Sequence, residues 1–183
     1  MQFTLVTGSE KKVMEYQMML PGIMIETAKI DVDEIQSMDL EDIALKKARA
    51  VHVQLGKPVV VDDTGFFLEH WKGLPGPFIK YFEERFPNDS LARLLGDTSD
   101  RRGYAKCCIA YCDGEREFVV CGEAHGTVTH EARGPAGAFG FDYYFIPNGY
   151  NKTFAELEGK KHMISHRFRA LQAFRKELER TDS

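Results

Sequence analysis

The sequence predicts an α/β fold, and three observations carry that expectation. Gln2 to Val6 reads as a short strand that passes through Thr7-Gly8-Ser9 into a helix, the order strand, small-residue turn, helix. Val59-Val60-Val61 is an unbroken β-branched run directly after a long amphipathic helix, the pattern of a strand covered on both faces. The second half then alternates from Tyr104 to Cys112, turns at Asp113-Gly114 and returns from Glu117 to Cys121, which is a hairpin.

The elements follow in order. Ser9 is placed to cap a helix from about Glu10 to Leu20. Ile23 to Ile30, rich in Ile and Thr, reads as a second strand, and Asp31 to Ser37 is an acidic loop. Leu40, Ile43, Ala44, Ala48, Val51 and Leu55 then recur at helical spacing until Gly56 closes the helix. The next strand, from Pro58 to Val61, is expected to end abruptly in Asp62-Asp63-Thr64-Gly65. That ending presents two carboxylates at the carboxyl end of a sheet strand, where open α/β sheets hold ligands. A plain polar exit from the strand is the alternative. Leu74-Pro75-Gly76-Pro77 is a rigid turn leading to helical segments near Ile79 to Phe86 and Ser90 to Leu95. A further strand is expected from Phe139 to Ile146. The last helix starts at Ser165 or His166 and carries Phe168, Leu171, Phe174 and Leu178 on one face.

Composition narrows the function classes. A chain of 183 residues is expected to form a single domain over residues 1–183. With 43% hydrophobic and 28% charged residues it has enough apolar surface to fold, which excludes intrinsic disorder. No apolar run approaches the roughly 18 residues of a membrane span, and Met1 to Thr7 lacks the features of a signal peptide, so a cytoplasmic protein without a membrane partner is expected. The net charge of −4 leaves no basic footprint for nucleic acid polymer, so an anionic ligand needs local cations or a metal. Cys107, Cys108, Cys112 and Cys121 show no metal-ligand spacing. Cys108, Ala110 and Cys112 fall on one face of a strand and Cys107 on the other, so all four are expected to be reduced packing residues.

Four segments can carry chemistry. Thr7-Gly8-Ser9 with Lys11 and Lys12 joins a strand end to a helix N-terminus, where backbone N–H groups, the dipole and lysine charge favour phosphate, although surface turns often have this composition. Glu34, Asp62 and Asp63 are carboxylates on a loop or strand end, suited to Mg²⁺, which takes one or two protein carboxylates and keeps several waters. Glu34 taken alone reads rather as a solvated loop acid. Phe139-Gly140-Phe141-Asp142 offers either core aromatics or a slot for a planar base. Lys161, Ser165, His166 and Arg167 precede or open the last helix, as base-edge donors or as ordinary cap and surface cations.

In this order the segments resemble the inosine triphosphate pyrophosphatase family, also called HAM1-like. The family's T-G-N-x-x-K is similar to Thr7-Gly8-Ser9-Glu10-Lys11-Lys12, and its E-D-[ST]-G and G-x-P-G to Asp62-Asp63-Thr64-Gly65 and Gly73-Leu74-Pro75-Gly76. F-G-[FYW]-D, T-[FY]-A-E and S-H-R are matched by Phe139-Gly140-Phe141-Asp142, Thr153-Phe154-Ala155-Glu156 and Ser165-His166-Arg167. Ser9 stands for the usual Asn, Tyr143 for a proline, and His162 for an Asn in a stretch one residue shorter than the family's. The resemblance implies a curved mixed sheet with flanking helices, two lobes around a cleft, and a homodimer. It implies hydrolysis of deaminated purine nucleotides (ITP, dITP, XTP) to monophosphate and pyrophosphate. A pyrophosphatase for standard or pyrimidine nucleotides, or a non-catalytic nucleotide-binding module, is the alternative. Glu34 and Asp63 would hold Mg²⁺, with Mn²⁺ as a substitute, and Asp63 would also be catalytic. Thr7, Gly8, Ser9, Lys12, Lys47 and Thr64 would meet the triphosphate, Lys80 and Asp142 the nucleoside side, and Phe139, Gly140 and Phe141 the base. Lys161, His166 and Arg167 would read the base edge, with Arg167 donating to a 6-oxo group.

Overall fold

The computed structural model describes residues 1–86, 90–138 and 140–180. The strands are β1 (Gln2–Val6), β2 (Met24–Ala28), β3 (Val59–Leu68), β4 (Pro75–Gly76), β5 (Arg102–Cys112), β6 (Glu117–Val128) and β7 (Phe145–Pro147). The helices are α1 (Glu10–Met19), α2 (Leu40–Leu55), α3 (Ile79–Arg85), α4 (Ser90–Leu94), α5 (Glu158–Ile164) and α6 (His166–Glu179), with a 3₁₀ turn over Gly140–Tyr143. The seven strands form one mixed sheet in the order β2-β1-β3-β5-β6-β7, with β4 paired to β3. β1 runs parallel to β2, pairing Gln2 with Met24, and parallel to β3, pairing Thr4 with Val59. β4 and β7 pair antiparallel to β3 and β6.

The chain divides into two compact units. The first comprises residues 1–64 and 107–122 with the last helix from Arg167 on; the second comprises the described residues of 65–106 and 123–166. In the first unit the strand period of two separates two cores. Phe3, Leu5, Val60, Cys107, Ile109 and Tyr111 pack with Tyr16 of α1, Leu20 just after it, and Leu171, Phe174 and Leu178 of α6. Val59, Val61, Cys108, Ala110 and Cys112 pack with Leu40, Ala44, Ala48 and Val51 of α2. Helices thus cover both sheet faces, which is why the valine run is continuous. The second unit has one core, in which Phe66, Leu68, Ala105, Ala124 and Val128 meet Ile79, Leu91, Phe141, Tyr144, Phe145 and Phe154.

Local signals hold at the helix ends. Ser9 caps α1, its Oγ accepting from Lys12 N at 3.4 Å. Asp39 caps α2 by accepting from the amides of Glu41 and Asp42, and Gly56 closes it in the left-handed region at φ 64°.

Three expectations are corrected. β3 does not stop at Asp62-Asp63 but runs through both to Leu68. The carboxylates are tolerated inside a strand because alternation sends them to opposite faces, where each finds cations from a different helix, as described below. The expected strand from Phe139 to Ile146 is instead a 3₁₀ turn followed by the short β7; alternating aromatics imitate a strand, but Gly140 takes φ 49°, which an extended chain does not allow. Phe139 lies outside the described residues. Finally, Cys108 and Cys121 form a disulfide and only Cys107 and Cys112 are free. Face alternation separates cysteines along one strand, but Cys121 lies on the other strand of the hairpin. It faces Cys108 across the hairpin with Cα atoms 4.2 Å apart, the separation of a directly opposed antiparallel pair.

Candidate active site

Two groups of the expected residues assemble, one in each unit. The first gathers around β3. Val60, Asp62 and Thr64 share the face toward α1 and α6, whereas Val61 and Asp63 point toward α2. Asp62, its side chain 1% exposed, accepts a hydrogen bond from Arg167 Nε at 2.8 Å on Oδ2 and a short one from Lys12 Nζ on Oδ1. Lys12 Nζ also donates to the Asp62 carbonyl at 3.0 Å. Arg167 completes its fork with Glu15 Oε2 and Thr64 Oγ1, each at 3.2 Å. Burial on its own would raise the Asp62 pKa, but the Arg167 and Lys12 cations outweigh it and hold the carboxyl well below its ordinary range. Arg167 is raised in turn: burial opposes its charge, and Asp62 foremost overcomes that.

On the other face Lys47 of α2 lies between two carboxylates, donating to Glu34 Oε1 at 2.5 Å and to Asp63 Oδ1 at 3.0 Å. Asp63 is half-buried and its Oδ2 has no hydrogen-bond partner. Burial raises the Asp63 pKa, with Lys47 pulling the other way. A carboxylate lifted toward the working pH with an oxygen free is suited to hold a proton or a hard cation. The seven side chains Glu15, Lys12, Arg167, Asp62, Lys47, Glu34 and Asp63 carry three positive and four negative charges. A polyphosphate meets net repulsion from this set unless a divalent cation joins it. Glu34 and the unpartnered Asp63 Oδ2 supply the oxygen donors that Mg²⁺ takes, so the residues fit the metal. Among the described residues, the three-ligand cluster close enough to share an ion is a different one, Glu41 with Cys108 and Cys121, and its sulfurs are bonded to each other.

Between β1 and α1, Thr7 Oγ1 accepts from Ser9 N at 3.1 Å, so both hydroxyls of Thr7-Gly8-Ser9 fold back on the backbone and shape the turn. Gly8 packs beside the Lys29 stem, its Cβ position 3.7 Å from Lys29 Cδ.

The second group surrounds the 3₁₀ turn. Phe141 stacks on Phe66 with centroids 4.6 Å apart and is a core side chain. Asp142 is ion-paired with Lys161, whose Nζ lies 5.6 Å from the centre of the Phe154 ring. His166 is buried beside Phe141 and Phe154, with centroids 5.7 and 6.3 Å away. Glu83 of α3 accepts from the Phe141 amide at 3.0 Å.

Two expected site residues are placed otherwise. Lys80 joins neither group: its side chain is 76% exposed and lies 3.9 Å from Glu84, one turn along its own helix. Arg167 is gathered with Asp62, Glu15 and Thr64, its guanidinium nitrogens engaged there, whereas the preceding His166 belongs to the aromatic group. Glu15, the anchoring role of Asp62, and Glu83 went unseen in the sequence. Glu15 carried one signal, a carboxylate one helical turn after Lys12.

The profile of the Ham1 family matches residues 3–177. The chain belongs to the Ham1 family. Two archaeal relatives named dITP/XTP pyrophosphatase, from Methanopyrus kandleri and Pyrobaculum aerophilum, are 38% and 40% identical and cover 95% and 93% of this chain and 94% and 92% of their own. The inosine triphosphate pyrophosphatase of Yarrowia lipolytica is 38% identical over 94% of this chain and 93% of its own. Among solved structures, a HAM1 protein from Coxiella burnetii superposes with a TM-score of 0.87 at 26% identity, covering 98% of this chain and 99% of its own. This Ham1 chain shares with these relatives nearly its whole length, not a single module.

Proposed function

We propose that this Ham1 protein is a nucleoside triphosphate pyrophosphatase for deaminated purine nucleotides, converting ITP, dITP or XTP and water to the monophosphate and pyrophosphate. The observation that carries the reading is the Asp63 carboxylate, raised in pKa by burial, free at Oδ2 and set beside Lys47 and Glu34. The names of relatives covered almost end to end support the substrate class. In the reaction water oxygen bonds to the α-phosphorus, the bond from that phosphorus to the oxygen bridging to the β-phosphorus breaks, and pyrophosphate departs. Asp63 orients the water and accepts its proton, while Lys12 and Lys47 hold the phosphates. A divalent cation at Glu34 and Asp63, Mg²⁺ or Mn²⁺, would supply positive charge for the phosphates and the departing pyrophosphate. Asp62 does not react; held ionised by Arg167 and Lys12, it fixes both cations in place.

Asp142, Lys161 and His166 serve the nucleoside. Donors aimed at a 6-oxo group would face the 6-amino group of adenine unpaired, at a cost of about 1–3 kcal/mol each. The reading extends to a homodimer working in the cytoplasm. Its test is a screen of pyrophosphate release from ITP, XTP, GTP, ATP, CTP and UTP with and without Mg²⁺. Release from ITP and XTP above ATP, dependent on the cation, is expected. Equal rates across all six, or rates unchanged by chelation, would overturn it.

A further inference from the structure

Glu83 was singled out by nothing in the sequence, yet it sits against the turn that carries Phe141 and Asp142. Its Oε1 accepts from the Phe141 amide at 3.0 Å. Gly140, at φ 49°, leaves room for that carboxyl: a Cβ there would lie 1.9 Å from Glu83 Oε1 and 2.3 Å from its Cδ. The glycine and the glutamate are therefore one device, a carboxyl seated where every other residue would place a side chain. The titratable groups that face it are Asp142 on the turn, Lys161 of α5 and Tyr144 just beyond the turn.

We infer that Glu83 is a positioning residue for the nucleoside, which holds the Gly140–Tyr143 turn in register through the Phe141 amide and tightens that hold when it is ionised. This rests on the reading that the Asp142, Lys161 and His166 group serves the nucleoside. A charged acceptor binds an amide about twice as strongly as a neutral one, so ionisation stiffens the turn. Burial, aided by Asp142, pushes the Glu83 pKa up to about 7, with the Phe141 amide and Lys161 opposing it, so the change falls within the neutral range. Asp142 and Lys161 are ion-paired with each other, and the hydrogen bond from the Phe141 amide ties the Glu83 carboxyl to the turn.

The test compares wild type with Glu83→Gln, which keeps shape and an acceptor oxygen, and Glu83→Leu, which keeps neither charge nor acceptor. KM and kcat for ITP are measured from pH 6 to 8, alongside melting temperature. Titration of the substrate's phosphates is common to all three proteins, so differences between their profiles report on residue 83. Wild-type KM is expected to rise about threefold to fivefold on acidification through pH 7, relative to Glu83→Gln, whose KM stays near the wild-type acid value. Glu83→Leu is expected to raise KM about tenfold at pH 8, with kcat in both variants within about twofold of wild type. A merely structural role would lower the melting temperature without removing the pH step in KM. Superposable KM profiles for wild type and Glu83→Gln, with wild type active, would overturn this inference alone. A wild type that releases no pyrophosphate from any purine triphosphate would overturn the functional reading and this inference with it.

Discussion

Replacing Asp62 by Asn tests the anchoring of the phosphate-side cations, because it keeps the side chain's shape and removes its charge. Asp62 is fully enclosed, and both of its oxygens accept from cations: Oδ1 from Lys12, Oδ2 from Arg167 at 2.8 Å. In the variant Lys12 loses its carboxylate partner and Arg167 keeps only Glu15, while both charges stay largely enclosed. One oxygen position becomes an NH₂ that cannot accept from either. Breaking one side of a buried ion pair costs about 3–5 kcal/mol. At about 2–4 °C per kcal/mol for a chain of this size, the melting temperature should fall by roughly 6–20 °C. The pH dependence has a definite sign. The folded pKa of Asp62 is depressed, so its stabilisation is complete above the unfolded value of about 3.9 and is lost only as pH falls toward the much lower folded value. The difference between wild type and variant should therefore be flat from pH 5 to 8 and shrink below about pH 4. Urea unfolding at pH 7, 5 and 3.5 measures it. A loss under about 1 kcal/mol at pH 7, or a gap that widens in acid, would refute the argument that this pair is a buried, mutually compensated one.

Asp63→Asn should behave in the opposite way. Its folded pKa is raised by burial, so neutralising it removes an unfavourable charge. Stability at pH 7 should stay the same or rise slightly while turnover falls far more than tenfold, and parallel melting and pyrophosphate assays check this. Arg167→Lys keeps the charge but cannot meet Asp62, Glu15 and Thr64 together. Activity on ITP and ATP should fall by a similar factor with their kcat/KM ratio within about threefold of wild type, and a collapse of that ratio would return Arg167 to the base edge. Alkylation of the unfolded, unreduced protein should label Cys107 and Cys112 alone. Reduction of the Cys108–Cys121 bridge, which closes a sequence separation of 13, should cost about 2–4 kcal/mol in urea unfolding.

Several parts of this molecule could be read without its structure because their causes are local. The stripe from Leu40 to Leu55, the Ser9 cap, the Gly56 stop and the Asp113-Gly114 hairpin each depend on residues a few positions apart, and each stands where periodicity and cap chemistry put it. The order of the motifs was enough to name the family, since motif order is a property of the chain alone. The continuation of β3 through Asp62 and Asp63 was not legible. A carboxylate inside a strand is unfavourable until its partners are counted, and Lys12 and Arg167 lie 50 and 105 residues from it.

The sequence by itself determined α1, α2, α6 and the β5–β6 hairpin, which faces of them are apolar, and which carboxylates and cations are available to a phosphate. Tertiary structure decided how those charges are shared. It set Asp62 and Asp63, adjacent in the chain, to opposite behaviour, one held ionised between two cations and the other lifted by burial with an oxygen free. It likewise joined Cys108 to Cys121 and seated Glu83 against Gly140. The physical reason is common to these cases. Hydrophobic periodicity acts through neighbours along the chain, whereas a pKa, a cross-strand bond or a close approach depends on distances of a few ångströms between residues that only the folded sheet and its helices bring together.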